Sequence, residues 1–142
     1  MDTETGLIEI TDHFGGSDAG TIMNPRAAYN QMTSFFAGLD VAIREETVWD
    51  KWDNKVLNPN LIEYKARTFN EAPPHDHVCL ESTKGRESDF SFGAMGIGEP
   101  IISPSGPAIT MAVYNACGIE LEEYPYLPAK VLAALKEKED RA

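Results

Sequence analysis

The sequence holds little with which to bind a metal. It has two cysteines, Cys79 and Cys117, and three histidines in 142 residues. The cysteines stand far apart with no Cys-x-x-Cys spacing, which excludes a zinc or iron–sulfur site of their own and reads as free thiols in a reducing compartment. His75 and His77 lie two apart in a proline-rich stretch and His13 is isolated in sequence, the pattern of solvated loop histidines and not of a ligand set. Cations are scarce as well. Lys and Arg number 12 against 23 Asp and Glu, a net charge of −11. Phosphate binding needs clustered Lys and Arg, so nucleic acid is excluded as a partner, and an anionic membrane surface with it. No run approaches the roughly 18 apolar residues of a spanning helix. The opening, Met1-Asp2-Thr3-Glu4-Thr5-Gly6, is acidic where a signal peptide is basic, so a cytoplasmic location is expected.

What is present reads as one domain, residues 1–142, of α+β type with short strands and about three helices. Leu7–Thr11 alternates like a strand, and Gly15–Gly20 reads as a glycine-rich turn. Asn24-Pro25 is a helix start, the Asn as cap and the Pro at the first helical position. Ala28, Met32, Phe35, Phe36, Leu39 and Ile43 recur at helical spacing, which predicts a helix ending near Glu45 or Glu46. Thr47–Trp52 and Leu61–Ala66 look like strands joined by Asn- and Pro-rich turns, in a meander or hairpin. His77–Glu81 reads as another short strand, and residues 82–92 as a polar loop. A second helix follows Pro107, with Ile109, Ala112, Val113 and Ala116 inward and Gly118 at its end. A third starts at Pro128, carries Val131, Leu132 and Leu135, and trails into a charged tail. Such an inventory does not close around a core of its own. Trp49, Trp52, Tyr124 and Tyr126 are expected to need a neighbouring surface.

The stretch Gly93-Ala94-Met95-Gly96-Ile97-Gly98-Glu99-Pro100 carries the chemistry. Glycines let backbone approach a bulky ligand closely and adopt positive φ. A carboxylate held beside such a ligand is a candidate general base. The absence of a Gly-Lys-Ser/Thr sequence, and the carboxylate directly after the glycines, oppose a phosphate cradle.

In order, Ile22-Met23-Asn24-Pro25 with Gln31, Leu57-Asn58-Pro59-Asn60-Leu61-Ile62-Glu63-Tyr64, Gly96-Ile97-Gly98-Glu99, Pro107-Ala108 through Ala116, and Leu127-Pro128-Ala129-Lys130-Val131-Leu132 form a pattern over roughly residues 7–136. It resembles the C-terminal part of the molybdopterin-binding subunit of the xanthine dehydrogenase/aldehyde oxidase family. The resemblance implies the α+β fold of that region. It also implies oxidative hydroxylation of an aldehyde or N-heterocycle with oxygen taken from water. Glu99 matches the family's catalytic base. Gln31, Gly96, Ile97 and Gly98 match positions that contact the cofactor, and no residue of this chain is expected to ligate the metal.

The implied cofactor is molybdopterin, as such or in its cytosine dinucleotide form. It would be held mostly by a larger molybdopterin-binding subunit, with 2Fe-2S clusters and FAD on further subunits. The family's subunit is several times longer, so the expectation is a separate small chain, a partial C-terminal domain completed by its partner. The other reading is a non-catalytic interaction subunit that completes the partner's core.

Overall fold

A computed structural model describes residues 1–82 and 91–141. The body of the polar stretch expected at 82–92 therefore lies outside the described residues. The fold is α+β, with a two-stranded sheet and four α-helices among the described residues. The chain separates into two compact units: residues 10–38 with 73–105, and residues 1–9 with 39–72 and 106–142.

The first unit contains the sheet. β1 (His13–Asp18) and β2 (His75–Leu80) run parallel, with His13 opposite His75 and Asp18 opposite Leu80. This overturns two expectations. Leu7–Thr11 forms no strand, and much of the predicted glycine turn is β1 itself. Gly15 lies in a strand because its neighbours fill its side-chain space. A Cβ there would meet His13 Cε1 at 3.1 Å and both His77 Nδ1 and Ile101 Cδ1 at 3.2 Å. Glycine in a strand often marks such close approach and not a turn.

α1 (Pro25–Met32) begins as expected, with Asn24 Oδ1 accepting from the Ala27 amide at 3.1 Å and Pro25 in the first turn. The single long helix of the sequence reading is broken. At Thr33 and Ser34 the backbone switches to tighter bonds, Thr33 N to Asn30 O and Ser34 N to Gln31 O, before α2 (Phe35–Ile43) starts. Thr33 Oγ1 also donates to Asn30 O at 2.7 Å. Hydroxyl side chains compete with the helical ladder in this way. The expected apolar face survives the break. Ala28, Met32, Phe35, Leu39 and Ile43 are all buried.

The second unit contains the last residues of α2 and most of α3 (Ser105–Cys117), together with α4 (Pro128–Arg141). Leu39, Ala42, Ile43, Ile109, Val113, Ile119, Tyr126 and Val131 are its buried apolar residues. Ala112 and Ala116, expected inward, are exposed. Gly118 ends α3 at φ 66°, as expected, and Lys138 Nζ donates to the Cys117 carbonyl beside it. The charged tail is therefore helical as far as Arg141.

The strands expected at 47–52 and 61–66 are turns. Trp49 makes one antiparallel bridge with Val56, while Asp50 Oδ1 accepts from the Trp52 and Asp53 amides. Asn60 Oδ1 does the same for Ile62 and Glu63. Asx side chains capture nearby amides and so favour turns over ladders. Asp40, 4% exposed, anchors this region. Its carboxylate accepts from Arg67 Nε at 2.8 Å and from the Arg67 amide at 3.0 Å.

Candidate functional site

The loop carrying Glu99 is built within the first unit. Its start is pinned to the chain just after β1: Met95 N donates to Ala19 O at 2.9 Å and Thr21 N to Gly93 O at 2.8 Å, around an antiparallel bridge of Gly20 with Ala94. Its far end is tied by Ile102 N donating to Glu99 O at 3.0 Å. Between these anchors Gly98 takes φ 52°, a left-handed conformation suited to glycine. A Cβ on Gly96 would meet nothing within 4 Å among the described residues, so that part of the loop is left open by them.

The last turn of α1 brings Gln31 to this loop. Its Nε2 donates to the Gly98 carbonyl at 2.7 Å, across 67 residues of sequence. Ile97 contributes to a hollow of about 270 Å³ shared with Thr21, Ile22, Asn24, Ala28 and Met95. The helix-start motif and the glycine loop, far apart in sequence, thus share one surface. Glu99 is exposed, and its carboxylate has no hydrogen bond or ion pair among the described residues. That carboxylate can accept a proton from a group brought against the loop.

A bulky cofactor fits this arrangement as against one wall. Gly96 leaves room, the Gln31 side-chain oxygen has no partner among the described residues, and the hollow adjoins Ile97. Among the described residues no group of three or more His, Cys, Asp or Glu side chains is placed to hold a metal.

Two features escaped the sequence reading. The Thr21 hydroxyl lining the hollow is buried without a partner among the described residues; its only sequence signal was its place beside Ile22. The histidines are not solvated loop residues. His13 stacks on Phe35 with ring centroids 3.9 Å apart, and His77 and His75 lie 4.9 and 5.4 Å from the same ring. Parallel register places all three on one sheet face, a juxtaposition the sequence could not show. Burial, then the neighbouring histidines, pushes His13 below the ordinary imidazole value near 6.5, against the Asp12 carboxylate. His77 is lowered likewise by burial and His75, against Asp76 and a backbone bond at Gly15.

The fold is α+β, and its first unit sets the helix-start motif and the glycine loop on one surface. Residues 1–73 match the family described as "Molybdopterin cofactor-binding domain", and the chain belongs to that family. Over 137 residues it is 29% identical to the probable hypoxanthine oxidase XdhD of Escherichia coli K12, covering 96% of this chain and 14% of that protein. It is 32% identical over 115 residues to the putative xanthine dehydrogenase molybdenum-binding subunit XdhA of the same strain, covering 80% of this chain and 15% of the subunit. In fold it is similar to the reconstituted CO dehydrogenase of Oligotropha carboxidovorans, with a TM-score of 0.83 and 20% identity over 100% of this chain and 18% of that one. The chain therefore spans about one seventh of the curated relatives it matches. The expected family and α+β fold class are borne out. Among the described residues no helix is long and apolar enough to cross a membrane.

Proposed function

We propose that this chain forms one wall of the molybdopterin site in a molybdenum oxidoreductase, with Glu99 as the proton acceptor. The observation that carries this reading is the Gln31–Gly98 hydrogen bond, which draws two separated motifs together directly before Glu99. When bound, the cofactor supplies a metal that activates a water-derived oxygen and takes up electrons. Glu99 would take up the released proton at its carboxylate, and its exposure on the glycine loop would give it access. The backbone of Gly96, Ile97 and Gly98 forms the surface against which the pterin packs. The Gln31 side-chain oxygen is a candidate acceptor for a pterin N–H. The substrate class is an aldehyde or an N-heterocycle, consistent with relatives named for hypoxanthine and xanthine.

A larger molybdopterin-binding chain holds the rest of the cofactor, and further subunits carry 2Fe-2S clusters and FAD. The apolar surface of the second unit supports such a partner. Trp52 is 95% exposed and Phe69 96%, with Leu61 and Ile62 above 80%. Large exposed apolar surface marks interaction sites in soluble proteins. Of the residues expected to need a neighbour, Trp49, Trp52 and Tyr124 remain exposed, whereas Tyr126 is buried within its own unit.

The test is Glu99→Gln in the assembled complex. Loss of a general base lowers turnover by about 10²–10⁴-fold, and molybdenum content and subunit stoichiometry should hold. Full turnover in that variant, with the complex failing to assemble when the chain is deleted, would make this a non-catalytic interaction subunit.

A further inference from the structure

The geometry points to Gln31 as a positioning residue for Glu99, a role that rests on the reading of Glu99 as the base and is separate from any contact Gln31 makes with the cofactor. The Gly98 carbonyl belongs to the same planar peptide unit as the Glu99 amide nitrogen. A donor that holds this oxygen holds the plane from which the Glu99 Cα departs. Gln31 Nε2 supplies that donor at 2.7 Å, a short and well-formed neutral bond. A carbonyl oxygen can only accept, so chemistry dictates which end of the Gln31 amide faces the loop.

The loop needs such a strut. Two of the three residues preceding Glu99 are glycines, and Gly98 sits at φ 52°. Glycine loses more backbone freedom on ordering than any other residue. Nothing among the described residues lies within 4 Å of where a Gly96 Cβ would sit. Among the described residues, Gln31 is the one side chain that ties residues 96–98 down.

The helix that carries Gln31 is itself fixed. Asn24 caps α1, and Ala28 and Met32 are buried on either side of Gln31 in sequence. The strut thus transfers the rigidity of a packed helix to an otherwise slack loop. An Asn at this position falls a methylene short, and a Leu has the bulk without the donor.

The test uses the holo complex with Gln31→Leu and Gln31→Asn, and Glu99→Gln as reference. Misplacing a catalytic group by about 1 Å costs on the order of 10²-fold. Both Gln31 variants should therefore lose roughly ten- to a hundred-fold in kcat per bound molybdenum, with KM near that of the parent; rates are taken per molybdenum because Leu also removes the candidate pterin acceptor. Hydrogen exchange over residues 95–101 should quicken in both, and stay at the parent rate in Glu99→Gln. Unchanged kcat per molybdenum, or activity that falls only in proportion to lost molybdenum, overturns the positioning role. Parent-like exchange in both Gln31 variants overturns it as well. Full activity of Glu99→Gln with quickened exchange in Gln31→Leu would instead sink the base reading and leave Gln31 a loop strut without a catalytic client.

Discussion

Replacing Gly38 by alanine sets helix propensity against packing. Gly38 lies inside α2, where propensity taken by itself favours alanine by about 1 kcal/mol. The structure argues the reverse. A Cβ at Gly38 would sit 2.3 Å from the Ile102 carbonyl oxygen and 2.8 Å from Ser105 Cβ. Comfortable contacts between such atoms fall at about 3.5 Å or beyond. The first obstacle is backbone, which cannot swing aside like the end of a long side chain. Overpacking costs about 1–3 kcal/mol, and a clash at this distance with backbone belongs at the upper end of that range, so the net effect is a destabilisation of about 2 kcal/mol once the propensity gain of about 1 kcal/mol is subtracted.

The displacement also reaches the site, because Ile102 N holds the Glu99 carbonyl. Circular dichroism is the suitable probe of stability, since Trp49 and Trp52 are exposed and report poorly on the core. Gly96→Ala is the matched control. Among the described residues nothing lies within 4 Å of its added methyl, so stability should stay within about 0.5 kcal/mol of the parent while cofactor occupancy falls. A Gly38→Ala protein as stable as the parent, or more so, would refute the packing argument.

Arg67→Ala should destabilise the second unit by about 3–5 kcal/mol, because it strands the carboxylate of Asp40 in a site where the two side chains are 11% and 6% exposed. The paired change Asp40→Leu with Arg67→Met should recover most of that loss in a denaturant titration; failure of the single variant to lower the midpoint would contradict a buried pair. Acid should weaken the first unit. Folded His13 and His77 titrate below the ordinary value near 6.5, so the unfolded chain takes up protons first. Their contribution is complete above about pH 6.5 and is lost as pH falls from there through the lower folded values. Urea midpoints at pH 7.5 and 5 check the sign, and His77→Phe should flatten the dependence. Glu71 is held at about 2, first by Arg44 and then by the Thr68 amide, so its ion pair does not add to the loss over that range.

Local chemistry carried the sequence reading wherever one residue decides the backbone. Asn24 and Pro25 start a helix in any context, Gly118 ends one, and Pro128 opens the last. The amphipathic spacing from Ala28 to Ile43 marked the buried face even though the helix breaks beneath it. The glycine loop before Glu99 was legible for the same reason: the chemistry of Gly-x-Gly-Glu is written in adjacent residues.

What the sequence misjudged depends on neighbours distant along the chain. Gly15 reads as a turn until His77 and Ile101 occupy its side-chain space, and Leu61–Ala66 reads as a strand until Asn60 captures its amides. The gathering of His13, His75 and His77 on Phe35 follows from a parallel register that no local pattern encodes. The sequence by itself thus determined that Glu99 closes a glycine loop and that Gln31 rides a capped helix. Only the tertiary structure decided that Gln31 reaches the Gly98 carbonyl, since a hydrogen bond spanning 67 residues depends on packing and not on propensity.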